Sequence, residues 1–101
     1  MPASPITRLG DQDVVHCSLP FREGCVETVF ANGIPVSCDG HLNTIHLLPC
    51  PCPACCCPHA APLKATTKTV FAEGILVGRV GDPIITCTAV AQGSPNVIVG
   101  G

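Results

Sequence analysis

The chain has 101 residues, enough for one domain and too few for a second sizeable core. Three Phe, one Met and no Trp or Tyr make that core thin, and eleven Pro with ten Gly exclude long helices. A net charge of −2, with no basic run, excludes a nucleic-acid-binding surface.

Taken in order, the chain repeats itself. A proline- or leucine-headed tetrapeptide stands at 5–8 (PITR), 35–38 (PVSC) and 76–79 (LVGR). Two residues on comes a glycine, and six further on a metal-ligand type: Gly10 to His16, Gly40 to His46, Gly81 to Cys87. Each unit closes on a strand-like segment, TVFANG at 28–33, TVFAEG at 69–74 and NVIVGG at 96–101. The repeats run over about 5–33, 35–74 and 76–101. Valine, isoleucine and threonine at the apolar positions, with Asn-Gly and similar turns between them, predict short β-strands. Alternation puts Val29 and Ala31 on one face of the first segment, Phe30 and Asn32 on the other, with Val70, Ala72, Phe71 and Glu73 repeating this. Such units cannot bury an apolar face alone and must pack on each other. The expected fold is a small all-β domain stabilised by a metal, a crosslink or a partner.

The units differ in one place. From ligand type to strand valine the gap is 13 residues in unit one, 24 in unit two and 10 in unit three. The excess is a Cys/Pro-rich insertion at 49–62, expected as a loop, and it carries His59. Imidazole and thiolate suit zinc, whose structural sites are four-coordinate. Three equivalent positions supply three ligands, so the fourth comes from outside the symmetry. This selects His16, His46, His59 and Cys87 around one structural zinc, with iron the less favoured ion. His41 is the rival for the fourth place. It occupies the slot that Asp11 and Asp82 fill in the other units, which favours a turn role for all three.

Nine cysteines are many for this length, and Cys50, Cys52, Cys55, Cys56 and Cys57 fall within eight residues. They admit a second metal site, packing as small apolar thiols, or an inter-loop disulfide, for example to Cys25 or Cys38. Adjacent His16 and Cys17 do not make a catalytic dyad, since strand neighbours point to opposite faces. With no phosphate loop, carboxylate pair or nucleophile elbow, the expectation is not an enzyme. The opening residues MPASPITRLGDQD lack the apolar core of a secretory signal, and no apolar run reaches membrane-spanning length. Export, if it occurs, is expected by another route.

The stretches PITRLGD at 5–11, VFANGIP at 29–35, LVGRVGDPIITC at 76–87 and QGSPNVIVGG at 92–101 resemble PAAR-repeat proteins. The likeness spans nearly the whole chain, although the second unit lacks both the Arg and the Asp of the motif and the Cys/Pro insertion is foreign to it. The resemblance implies a small cone of three short β-strand repeats with a metal-bound apex, its zinc held by His16, His46, His59 and Cys87. It implies a structural tip that caps the trimeric β-helical spike of a type VI secretion system or contractile phage tail, one cap per trimer. Such a tip sharpens the spike for membrane puncture, touches the target membrane transiently, and can carry effector cargo. Its place would be a virion tail spike, or the bacterial cytoplasm followed by secretion through the type VI apparatus. The competing reading from the residues is a stand-alone cysteine-rich metal-binding or redox module.

Overall fold

Two pairs of turn residues organise the outer part of the molecule. In the computed structural model, which describes residues 3–15, 17–49 and 56–100, Asn32-Gly33 has φ of 57° and 75°, and Glu73-Gly74 has 52° and 77°. Positive φ at both central residues is what a two-residue hairpin turn needs to match the twist of its arms. The first turn joins β2 (Phe30–Ala31) to β3 (Ile34–Pro35), and the second joins β6 (Phe71–Ala72) to β7 (Ile75–Leu76). A third ribbon is made by β1 (Ser4–Pro5) with β8 (Ile98–Val99). Its register repeats the other two: Pro5 opposite Ile98 corresponds to Pro35 opposite Phe30 and Leu76 opposite Phe71. The remaining pair is β4 (His46–Pro49) with β5 (Cys56–His59). All four pairs are antiparallel, and the described residues contain no helix.

Glutamate is a poor residue for positive φ, and Glu73 is held there by its own carboxylate. It accepts from the Glu27 and Thr28 N–H groups at 3.0 and 2.9 Å, and from the Thr28 hydroxyl. Those bonds hold its carboxyl below the ordinary range, the Thr28 hydroxyl contributing most. Asn32 does the same work elsewhere, accepting from Arg8 Nη1 at 3.1 Å and donating to Asn96 Oδ1 at 2.7 Å. Each strained turn is thus clasped to a distant stretch of chain.

At the centre three backbone hydrogen bonds close a ring. Thr7 N–H donates to Gly78 O (3.1 Å), Gly78 N–H to Ser37 O (2.8 Å), and Ser37 N–H to Thr7 O (3.0 Å). The pairings around it are cyclic too. Arg8 bridges Val36, Cys38 bridges Val77, and Arg79 bridges Ile6. Further along the chain Arg22 bridges Asn43, Leu63 bridges Ile84, and Val90 bridges Asp13. The molecule therefore has a pseudo-three-fold axis through Thr7, Ser37 and Gly78.

Strands this short bury little, so the core lies along the axis in two clusters. One, under the ribbons, contains Ile6, Val26, Ala31, Val36, Cys38, Ala72, Val77 and Val99. The other contains Ala61, Leu63, Ala65, Ile84 and Val90, with Cys87 packed against it. Ala31, Ala72 and Val99 face inward, whereas their strand neighbours Phe30, Phe71 and Ile98 stay more than half exposed, at 55, 57 and 53%. Of the alternation read from TVFANG and TVFAEG, the ribbons adopt the Phe30/Ala31 and Phe71/Ala72 part; Val29 is exposed, and Asn32 and Glu73 stand in the turns. The radius of gyration, 13.3 Å, is close to the roughly 13 Å of a compact chain of this size, with extents of 42 × 27 × 23 Å.

Candidate metal centre

The Cys/Pro-rich insertion is not simply a loop: its described ends pair as β4 and β5. The register puts His46 directly opposite His59, Leu47 opposite Pro58, Leu48 opposite Cys57 and Pro49 opposite Cys56. The β4–β5 hairpin therefore carries the chain out and back so that its last residue, His59, faces its first, His46. The two imidazoles meet with Nε2 atoms 2.9 Å apart, ring centroids 4.4 Å apart and planes tilted by 59°. They converge through ring nitrogens and do not stack.

His46 is buried, and its Nδ1 lies 2.7 Å from the Thr44 carbonyl. A carbonyl can only accept, so Nδ1 carries the proton and Nε2 presents a lone pair. That lone pair faces both His59 Nε2 and, at 3.2 Å, Cys87 Sγ. Cys87 reaches this point through a tight turn. Its N–H donates to Ile84 O (3.0 Å), Ile84 N–H donates to Thr88 O (2.8 Å), and Thr86 has φ of 53°. A β-branched residue at positive φ costs on the order of 1–3 kcal/mol, so the chain is strained immediately before the sulfur. Burial pushes the Cys87 thiol up, opposed by a hydrogen bond from Asn43.

One ligand atom from each of His46, His59 and Cys87 lies within 4.8 Å of the other two. A zinc tetrahedron has edges of about 3.3 Å between nitrogens and about 3.6 Å between nitrogen and sulfur. The observed 2.9 and 3.2 Å are shorter by a few tenths of an ångström, so small outward movements give coordinating distances. Two borderline nitrogens and one soft sulfur fit zinc, and the donor set admits other late divalent metals. These three residues could hold an ion. When bound, it would be a Lewis-acidic crosslink between β4, β5 and the turn at Thr86. His16, the remaining member of the expected set, lies outside the described residues.

His41 stands elsewhere. Its Nδ1 accepts from the Cys38 N–H at 2.9 Å. Asp11 Oδ2 accepts from the Arg8 N–H at 2.8 Å, and Asp82 Oδ2 from the Arg79 N–H at 3.0 Å. In each case the side chain after the glycine caps the N–H three residues earlier. The three glycines concerned all have positive φ, between 82° and 95°. All three residues do turn work, and imidazole at position 41 is a neutral substitute for carboxylate.

Cys25 and Cys38 are free thiols, so an inter-loop disulfide from the cysteine cluster does not run to either of them. Their local packing already closes that region through the Val26 N–H to Val36 O bond (3.0 Å). Cys17 is disulfide-bonded instead. Of the cluster, Cys50, Cys52 and Cys55 lie outside the described residues.

One group close to the site went unread in the sequence. Asp13, Asn43 and Ile84 stand three residues before His16, His46 and Cys87. Asp13 and Asn43 are buried, and Asp13 pairs with buried Arg22 at 3.1 Å. Burial pushes the Asp13 carboxyl upward and the Arg22 guanidinium downward from their ordinary values, against the attraction of the pair. Two polar residues at a position where the third repeat has isoleucine were the available signal.

No family model matches the chain, and no curated protein matches it.

Proposed function

We propose that this chain is a structural tip of the PAAR type: a cone with a metal-bound apex that caps the trimeric β-helical spike of a type VI secretion system or contractile phage tail. The observation that carries the reading is the trio Phe30, Phe71 and Ile98. They occupy equivalent positions in the three ribbons, and each leaves an apolar side chain more than half exposed. Three matched apolar side chains around a pseudo-three-fold axis are what a three-fold trimer end can receive, and a β-helix end needs such a cover over its open backbone edges.

Three uncharged segments support the tip role. Residues 14–21, 42–63 and 83–91, which include His46, His59 and Cys87, contain no Asp, Glu, Lys or Arg. Val14, Val15, Ile45 and Ile85 are exposed there. A point meant to enter a bilayer gains from the absence of charge, because a charged side chain at the bilayer centre costs several kcal/mol. One zinc, held by His46, His59 and Cys87 with His16 as fourth ligand, would tie these segments together, its binding energy acting as folding energy. The function is mechanical and non-enzymatic.

The test combines metal analysis with capture. Purified protein should contain about one zinc per chain, a stoichiometry set by one four-ligand site. Cys87→Ser and His46→Ala should lose both the zinc and thermal stability. A purified spike trimer should retain one chain per trimer, and Phe30→Glu with Phe71→Glu should abolish retention while keeping the zinc. Retention of three chains per trimer sinks the cap reading. The disulfide at Cys17 favours a second reading, a cysteine-rich metal-binding or redox module. That reading gains if zinc survives Cys87→Ser and is lost when Cys52 and Cys55 are removed.

A further inference from the structure

The layer of core beside the metal centre breaks the pseudo-symmetry. Of its three cyclic pairs, Leu63 with Ile84 is apolar, while the other two place Arg22 against Asn43 and Asp13 against Val90. Arg22, Asp13 and Asn43 are each no more than 1% exposed. Arg22 Nη1 donates to Asp13 Oδ2 at 3.1 Å, and Arg22 Nη2 to the His41 carbonyl at 2.8 Å. Asn43 Nδ2 donates to Asp13 Oδ2, also at 3.1 Å.

Such a wedge is a poor choice for stability alone. Buried ion pairs are commonly no better than apolar residues of the same volume, and the Leu63–Ile84 pair is the apolar solution at the equivalent place. The wedge is also incomplete, because Arg22 Nε is buried with no hydrogen-bond partner among the described residues. Its contacts point to another role. Asn43 Nδ2 lies 3.9 Å from Cys87 Sγ, within reach of a weak N–H···S bond. Asn43 Oδ1 accepts from the Ala61 N–H at 2.9 Å, two residues beyond His59. The residue after Asn43 is Thr44, whose carbonyl orients His46. One carboxamide thus touches the sulfur ligand and anchors the chain beside both imidazole ligands.

We infer that Asn43, oriented by the Asp13–Arg22 pair, is the positioning residue of the metal centre. It donates to Cys87 Sγ and holds the His59 end of β5 in register with it. This rests on the reading of His46, His59 and Cys87 as metal ligands. Donation to a metal-bound thiolate draws electron density from sulfur, and outer hydrogen bonds of this kind change metal affinity about 10- to 100-fold.

The experiment titrates the whole chain with Co2+ and with zinc against a competing chelator, and records the thiolate-to-cobalt charge-transfer band. Asn43→Asp keeps the acceptor for Ala61 and removes the donor to sulfur. Affinity should fall about 10- to 100-fold and the band should move to longer wavelength. Because that variant faces Asp13 with a second carboxylate, the exchange Asp13→Asn with Asn43→Asp is made beside it. The exchange restores one amide and one carboxylate next to Arg22, so thermal stability should recover. Affinity and band should stay altered, because the donor to Cys87 Sγ stands at position 43 and not at position 13. Recovery of all three in the exchange variant would show a merely structural amide and overturn the inference, as would an unshifted band in both variants. A missing cobalt band in the unaltered protein overturns the ligand reading itself, and this inference with it.

Discussion

Gly78 offers the sharpest test of the three-fold centre. Its N–H and carbonyl both belong to the ring of bonds joining Thr7, Ser37 and Gly78. A methyl group at Gly78 would lie 2.6 Å from Leu63 Cδ1, 2.9 Å from Thr7 Cγ2 and 3.0 Å from the Ser37 carbonyl. Leu63 is 1% exposed and Thr7 0%, so neither can swing into solvent, and the Ser37 oxygen is held by the ring itself. Overpacking of this kind costs about 1–3 kcal/mol. Gly78 does not have a left-handed φ, so alanine recovers about 0.4–1 kcal/mol by restricting the unfolded chain.

The net loss is then at most about 2.6 kcal/mol, and at its middle value of about 1.3 kcal/mol roughly 5–10 °C in melting temperature for a domain of this size. The assay is thermal denaturation of Gly78→Ala beside two controls. Gly100 has open space and no left-handed φ, so Gly100→Ala should melt at or slightly above the unaltered protein. Gly33 has open space and φ of 75°, so Gly33→Ala isolates the conformational cost, about 1–2 kcal/mol. Equal melting of Gly78→Ala and Gly100→Ala refutes the closely packed axis.

Two further predictions concern titration. Burial, then the nearby Arg22 charge, lowers the His41 pKa below its ordinary 6.5. The neutral form is the one whose Nδ1 can accept from Cys38, so this stability is present above pH 6.5 and is lost as pH falls through the folded pKa. His41→Asp, which restores the residue of the other two repeats, should flatten the melting profile between pH 8 and 5; an unchanged slope places the titration elsewhere. Burial pushes the Cys38 thiol up to about 11, with Glu73, Cys25 and Asp39 adding to it. At pH 8 its thiolate fraction is roughly two orders of magnitude below that of an ordinary thiol, so alkylation followed by peptide mass spectrometry should mark Cys25 long before Cys38. Equal rates refute the buried placement.

Turn chemistry was the readable part of this chain. Asn32-Gly33 announces a hairpin because few other pairs accept positive φ twice, Glu73-Gly74 by standing at the same place in the next repeat, and the aspartates after Gly10 and Gly81 announce side-chain caps. His46, His59 and Cys87 were readable by spacing, since one ligand position recurs in each repeat and the longest gap carries the extra histidine. The cyclic pairing was not readable. Two-residue strands carry too few positions for a period to show, and most links between repeats are single bridges such as Arg8 to Val36. The third ribbon joins residues about 95 apart, beyond the reach of any local pattern. Nor did composition announce β4 and β5, where prolines at 49 and 58 argue for a loop. They pair because the ladder is only two-stranded, leaving each strand an edge on which a missing N–H is tolerated.

The departures from symmetry are more informative than the symmetry. A three-fold ring with identical units would present either three metal ligands or an apolar layer at every level. This chain has three equivalent outward side chains at the ribbons and a closed ring at the axis, where the units are nearly interchangeable. Beside His46, His59 and Cys87 the units differ in kind: one contributes an inserted hairpin with His59, one the strained turn with Cys87, and two the buried polar wedge. The proposed three-fold partner would need the first region, whereas a metal that demands four ligands would not be served by it. Coordination number four on a three-fold scaffold requires one extra ligand and a means of holding unlike ligands at one point. On the proposed metal reading, the β4–β5 hairpin would supply the first, and Asn43 the second.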